Sequence, residues 1–82
     1  MQRAEIEELT LEVLQTIAPD AELAAIDPAT SFRDQFEIDS VDYLNFVLAL
    51  EQRLGIRIPE LDYPRLSSLQ GCVRYLEGRA GP

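Results

Sequence analysis

The chain has 82 residues, enough for one small domain but too few to enclose a deep catalytic pocket. Fifteen Asp and Glu residues against seven basic residues give a net charge of −8, which argues against nucleic acid and anionic membranes as partners. The sequence has no histidine and only one cysteine, Cys72, which excludes His-dependent catalysis, multi-cysteine metal sites and an intramolecular disulfide.

These properties predict a protein that is not an enzyme and holds no metal. The longest apolar run is far below the roughly 20 residues that a membrane-spanning helix needs. The N-terminal residues also lack the apolar segment of a signal peptide. We therefore expect a cytoplasmic chain that acts as a monomer and neither inserts into a membrane nor binds nucleic acid.

The first predicted helix covers about residues 3–17 and ends before Pro19. Its apolar residues recur every three or four positions and so share one face: Ile6, Leu9, Val13 and Ile17. Residues 18–39 carry several turn signals and are predicted to form a loop of unusual length. Four apolar residues should pin this loop to the core: Ile26, Phe32, Phe36 and Ile38.

A second helix is predicted over residues 40–54. Asp39 is a good N-cap, Asp42 completes a capping box, and Gly55 is a good residue to end the helix. The main apolar face of this helix should meet the core, and it consists of Tyr43, Phe46, Val47, Leu50 and Leu54.

The same helix carries a separate apolar stripe. We call it the second stripe, and it consists of Val41, Leu44 and Leu48. A domain of this size has no second core in which to bury these residues. Either they lie beneath the long loop, or they form an exposed patch that meets a partner.

Pro59 and Pro64 limit the segment between them to a short helix or turn. A last helix is predicted to begin after Ser67, which with Gln70 would form a capping box, and to end at Gly78. Its inner face consists of Leu69, Cys72, Val73 and Leu76.

These elements predict an all-α fold, a small four-helix bundle of three main helices and one short helix. Residues 1–78 would form a single domain and residues 79–82 a flexible C-terminal tail. The predicted core consists of Ile6, Leu9, Val13, Ile17, Phe32, Phe46, Val47, Leu50, Leu54, Leu69, Val73 and Leu76.

Few side chains could carry chemistry. The glycines match no phosphate-binding loop, and Cys72 is best interpreted as a small buried hydrophobe. Ser40 remains, at the first turn of the second helix, where a phosphate diester would be favoured. An Asp-Ser pair at such a place is most often only a helix cap. No neighbouring base could activate Ser40, so another enzyme would have to modify it.

Residues 31–42, SFRDQFEIDSVD, resemble the Ser-Phe-x-x-x-Leu-Gly-x-Asp-Ser-Leu-Asp segment of acyl carrier proteins. The residues that follow keep the register of that family without a gap: Leu48-Ala49-Leu50-Glu51, Leu54, Ile58-Pro59 and Ser67-Ser68-Leu69-Gln70. The resemblance covers nearly the whole chain, and the length suits a free-standing carrier.

The resemblance implies a four-helix carrier whose Ser40 is esterified by 4′-phosphopantetheine. A phosphopantetheinyl transferase would take this group from coenzyme A, and the thiol of the arm would hold acyl groups as thioesters. The implied partners are that transferase, an acyl- or aminoacyl-loading ligase or transferase, and downstream synthase enzymes.

The sequence departs from the family pattern around Ser40. Glu37 stands where the family has Gly, Val41 stands where it has Leu, and the second helix has only Asp42 and Glu51 as acids. Recognition should therefore depend less on acidic residues and more on the second stripe. The expected partner contacts are Asp39, Val41, Asp42, Leu44, Asn45, Leu48 and Glu51.

Three alternatives to an acyl carrier stay open. The chain could be an aminoacyl or peptidyl carrier loaded by a dedicated ligase, although such carriers more often have Gly where this chain has Asp39. It could be a binding module that is never modified and whose second stripe docks a partner helix. It could also be only a small helical domain in which Ser40 serves as a helix cap.

Overall fold

The computed structural model describes residues 1–79. Four α-helices follow one another along the chain: α1 (Arg3–Ile17), α2 (Phe32–Gln35), α3 (Ser40–Leu54) and α4 (Leu69–Glu77). Two 3₁₀ helices lie in the connections, at Leu23–Ala25 and Glu60–Leu66. Residues 1–79 contain no strand, so the all-α prediction is confirmed. Among these residues, no helix has the length and apolar character to cross a membrane.

The core lies between α1, α3 and α4, since α1 packs against both of the others. Its largest fully buried side chains include Phe32 of α2 and Phe46 of α3. The two rings meet nearly edge to face with their centroids 5.2 Å apart. Such a pair adds about 0.5–1.5 kcal/mol beyond the burial of its surface. This contact fixes α2 against the middle of α3.

The predicted core is confirmed except at its edges. Leu9, Ile17 and Leu54 are only half-buried, the last two because they end their helices. On α1, Thr10 is buried beside Leu14, so the inner face is turned away from Leu9. The core accepts this threonine because its hydroxyl donates a hydrogen bond to the Ile6 carbonyl at 2.7 Å.

The long connection is more ordered than predicted, since it contains the Leu23–Ala25 turn and α2. Ser31 caps α2 by accepting a hydrogen bond from the Asp34 N–H at 3.1 Å. The Gln35 side-chain amide cross-links this connection. It accepts a hydrogen bond from the Asp27 N–H and donates hydrogen bonds to the carbonyls of Asp27 and Thr30. The predicted anchors are confirmed: Phe32 and Ile38 are buried, and Ile26 and Phe36 pack against the core.

The predicted start of the last helix was wrong by one residue. Ser68, not Ser67, is the N-cap of α4, and its hydroxyl accepts from the Gly71 N–H at 3.0 Å. Ser67 instead has helical backbone angles, and its carbonyl accepts a hydrogen bond from the Phe32 N–H at 2.7 Å. The expected capping box of Ser67 with Gln70 therefore does not form.

The short helix before α4 also runs further than predicted, through Pro64 to Leu66. The fixed φ of proline lies in the range of a 3₁₀ helix, so the ring fits without distortion. Two tyrosines tie this helix to its neighbours. The Tyr43 hydroxyl donates to the Tyr63 carbonyl, and the Tyr75 hydroxyl donates to the Asp62 carboxylate.

The C-terminal end of the described chain lies against this same helix. Arg79 forms an ion pair with Asp62 at 3.6 Å, and its guanidinium carbon lies 4.4 Å from the centroid of the Tyr75 ring. Residues 80–82 of the predicted tail lie outside the described residues. The domain limits at 1–78 stay a prediction.

Replacing Leu50 by alanine should unfold most of the protein. Leu50 is fully buried, and such a truncation costs about 2–5 kcal/mol. A domain of this size has a total stability of only roughly 3–5 kcal/mol. Leu48→Ala on the exposed side of α3 is the matched control and should change stability by no more than about 0.5 kcal/mol. Equal denaturation midpoints for the two variants in urea would contradict this assignment of faces.

Stability should fall at high pH because of Tyr43. Burial is the main cause that raises the pKa of this phenol from 10.0 to about 12. The folded state therefore favours the neutral phenol, and this contribution is complete below pH 10 and is lost as the pH rises toward 12.

Chemical denaturation at a series of pH values between 10 and 12 should show that the free energy of unfolding falls less steeply with pH for Tyr43→Phe than for the wild type. Part of the dependence should remain, because burial also raises the pKa of the Cys72 thiol and of Tyr75. Identical slopes in the two proteins would contradict the assignment to Tyr43.

Candidate functional site

The first turn of α3 is held by a reciprocal pair of acidic side chains. Asp39 has an extended backbone, and its carboxylate accepts a hydrogen bond from the Asp42 N–H at 2.8 Å. The Asp42 carboxylate accepts in turn from the Asp39 N–H at 3.2 Å. The predicted capping box is therefore confirmed. At the other end of α3, Gly55 adopts φ 65°, a left-handed conformation that suits glycine.

Ser40 is the first residue of α3, and it is exposed. Because Asp39 occupies the cap position, the Ser40 hydroxyl makes no hydrogen bond with any of residues 1–79. The alternative role of Ser40 as the helix cap is therefore wrong. The hydroxyl is left available for modification at the positive end of the helix dipole.

The backbone segment that leads to Ser40 is held in place by its contact with the core. Ile38 is buried, and its N–H donates to the Phe36 carbonyl at 3.0 Å. Glu37 lies between them with an exposed side chain. Within residues 1–79 no residue other than glycine has a positive φ. Glu37 thus fills the place of the family's glycine without a left-handed backbone.

The second stripe is exposed on the outside of α3. The exposed fractions are 64% for Val41, 42% for Leu44 and 46% for Leu48. The alternative in which these residues lie beneath the long loop is therefore wrong, and the exposed-patch alternative is confirmed. That a partner binds there stays a prediction.

The polar residues predicted to contact partners are distributed along the same helix. Asp39 and Asn45 are exposed, whereas Asp42 and Glu51 are half-buried. Asp39 and Asp42 are brought together with Ser40 by the capping box. Glu51 lies eleven residues from Ser40, about 16 Å along the helix axis. It therefore belongs to the far end of any surface centred on the serine.

An open groove of about 500 Å³ adjoins this turn. It is bounded by the end of α2, by residues 36–38 and by the two aspartates of the capping box. Among the described residues 1–79, Arg33 is the only cationic side chain that lines it. Sequence reasoning missed this groove. Arg33 stands inside the recognised motif, but nothing in its spacing indicated which surface it would line.

The other reactive groups have structural roles. Cys72 is buried, its thiol donates to the Leu66 carbonyl at 3.2 Å, and burial raises the pKa of this thiol. Its interpretation as a small hydrophobe is confirmed. Within residues 1–79, no group of three or more metal-ligating side chains comes together.

Known proteins resemble this chain over most of its length. The family model described as a phosphopantetheine attachment site matches residues 4–76, from α1 into α4. The chain is 34% identical over 73 residues to an acyl carrier protein of Campylobacter hominis, covering 89% of this chain and 86% of the relative. It is 29% identical over 79 residues to an acyl carrier protein of Rubrobacter xylanophilus, covering 93% of each.

Removing the Ser40 hydroxyl should barely change stability, because the hydroxyl makes no bond in the described structure. We expect Ser40→Ala to change the free energy of unfolding by less than about 0.5 kcal/mol. Asp39→Ala, one residue away, removes the cap and should cost about 1 kcal/mol. Urea denaturation measures both values. A loss for Ser40→Ala as large as that for Asp39→Ala would show that the hydroxyl does cap the helix.

Proposed function

The chain belongs to the acyl carrier protein family, and we propose that it carries acyl groups as thioesters on a 4′-phosphopantetheine arm esterified to Ser40. The observation that carries this proposal is the exposed Ser40 hydroxyl, which makes no bond within residues 1–79 and lies inside the matched attachment-site region. The carrier role itself follows from the family.

The residues around Ser40 fit the proposed group. Esterification of the hydroxyl breaks no contact in the described structure, and the cap made by Asp39 and Asp42 remains complete. In the transfer, a bond forms between Ser40 Oγ and the phosphorus of the phosphopantetheine of coenzyme A. The bond from that phosphorus to the adenosine bisphosphate leaving group breaks.

Within residues 1–79, no base is hydrogen-bonded to the Ser40 hydroxyl. The sequence has no histidine, and the carboxylates of Asp39 and Asp42 each accept a bond from the other's N–H in the capping box. The proton must therefore pass to a base of a phosphopantetheinyl transferase. When bound, the arm supplies a thiol that forms the thioester. This division of labour agrees with a chain that works as a carrier rather than an enzyme.

We propose the second stripe as the surface on which the partners dock. These are the transferase, an enzyme that loads the cargo, and the synthase enzymes that use it. Any of them must cover the start of α3 to reach Ser40 or its arm, and Val41 and Leu44 lie within one turn of the serine. Asp39 and Asn45 would provide a polar rim. The cytoplasmic location and the monomeric state remain predictions.

Loading tests the attachment site directly. Incubation of the wild-type protein with coenzyme A and a broad-specificity phosphopantetheinyl transferase should add the mass of one phosphopantetheine. Ser40→Ala should abolish this gain, because α3 contains no other serine or threonine. Intact-mass spectrometry measures both.

Ser31→Ala is the matched control for loading. It removes another serine at a helix start, but Ser31 caps α2 and lies outside α3. It should load like the wild type. An unchanged mass gain in Ser40→Ala would contradict the assignment, and an unmodified wild type would favour the module that is never modified.

Truncation of the second stripe should slow loading without loss of fold. Leu44→Ala and Leu48→Ala remove exposed apolar surface, and each should lower the loading rate in the same transferase assay. Leu61→Ala is the matched control, since Leu61 is 93% exposed but lies on the Glu60–Leu66 helix. Loading should depend only weakly on salt, because few acids flank the stripe.

The contrary outcome is equally clear. If Leu44→Ala and Leu48→Ala load at the rate of the wild type while Leu61→Ala loads slowly, then partners dock on the 3₁₀ helix and not on the second stripe.

A further inference from the structure

The groove beside Ser40 offers an arm attached there a place to lie. It is a shallow groove of about 500 Å³. Asp39, which directly precedes Ser40, forms part of its wall. The groove is therefore adjacent to the attachment point and is largely open to solvent.

The charges of the groove single out one residue. Four carboxylates line it, on Asp34, Glu37, Asp39 and Asp42. Arg33 is the only cation there, and its guanidinium pairs with no carboxylate of residues 1–79. A phosphate diester on Ser40 would add another negative charge to this surface. Arg33 is the one lining group that can neutralise it, and a guanidinium matches phosphate oxygens in geometry.

The remaining walls suit the next part of the arm. Ile38 is buried and Phe36 is half-buried, and together they give the groove an apolar side. The Gln35 amide is already committed to Asp27 and Thr30, so it holds the wall in place. The groove therefore offers both charged and apolar surface to an arm that consists of a phosphate diester, a branched apolar group and amides.

We propose that this groove holds the phosphate-proximal part of the arm, with Arg33 as the positioning residue that pairs with its phosphate. The proposal rests on the proposed function, since it needs the arm on Ser40. At 100° per residue, Asp42 is turned about 100–160° around α3 from the three residues of the second stripe, so the groove lies to one side of that stripe. An arm held in the groove therefore leaves the second stripe uncovered for a partner.

Backbone amide shifts of the ¹⁵N-labelled protein, before and after loading, test this inference. In the wild type, loading should shift the amides of residues 33–38 as well as those beside Ser40. The loading-induced shifts at residues 33–38 should fall by at least half in Arg33→Ala and be largely restored in Arg33→Lys. Arg57→Ala is the matched control and should behave like the wild type, because Arg57 is exposed, makes no ion pair within residues 1–79 and lies outside the groove.

Intact mass must show complete loading of each variant before its shifts are compared. No mass gain in the wild type would defeat the proposed function itself. Complete loading with shifts confined to residues 39–42, or with equal groove shifts in Arg33→Ala and the wild type, would overturn the groove alone.

Discussion

The hydrogen bonds between Asp39 and Asp42 determine what Ser40 is able to do. A helix start must satisfy its unpaired N–H groups, and a serine placed there is usually consumed in that task. In this chain the two aspartates satisfy each other's N–H groups instead. The serine therefore occupies the first turn of α3 without a structural duty. Its hydroxyl is exposed and can be esterified without weakening the helix that presents it.

The position of this turn depends on contacts far from it in sequence. The Phe32 N–H is bound by the carbonyl of Ser67, and the Gln70 N–H donates to the Pro28 carbonyl at 2.9 Å. These two bonds clamp the long connection to the start of α4. Gly71 lets the start of α4 pack closely on the Glu60–Leu66 helix, because a Cβ there would lie 2.5 Å from the Arg65 carbonyl oxygen. The segment that leads to Ser40 is thus tied to the start of α4 at Pro28 and Phe32.

The sequence was sufficient to predict the helices that are long enough to show a regular spacing of apolar residues. The spacing of apolar residues located α1 and α3 to the residue, and the caps of α3 followed from Asp39, Asp42 and Gly55. It was not sufficient for α2, because four residues are too few to show a helical period. The choice between Ser67 and Ser68 as the cap of α4 was made by a tertiary bond to Phe32, which no local pattern contains.

The candidate site likewise has features that a local sequence pattern predicts and one feature that depends on tertiary structure. Ser40 could be predicted from its place in a motif, and the second stripe could be predicted from a helical wheel. The groove could not, because it exists only where α2 turns back toward α3 and places Arg33 beside the capping box. The two surfaces that flank Ser40 therefore differ in chemical character: one is the charged groove, and the other is the exposed apolar second stripe.

The most direct test of the account is the mass of the protein as its own organism makes it. Because the chain has no lysine, trypsin should release residues 34–53 as one peptide, in which Ser40 is the only serine. We expect the intact protein to carry the mass of one phosphopantetheine, with or without an acyl group, and we expect this mass to lie on that peptide. An unmodified protein, or a modification on any other peptide, would contradict it.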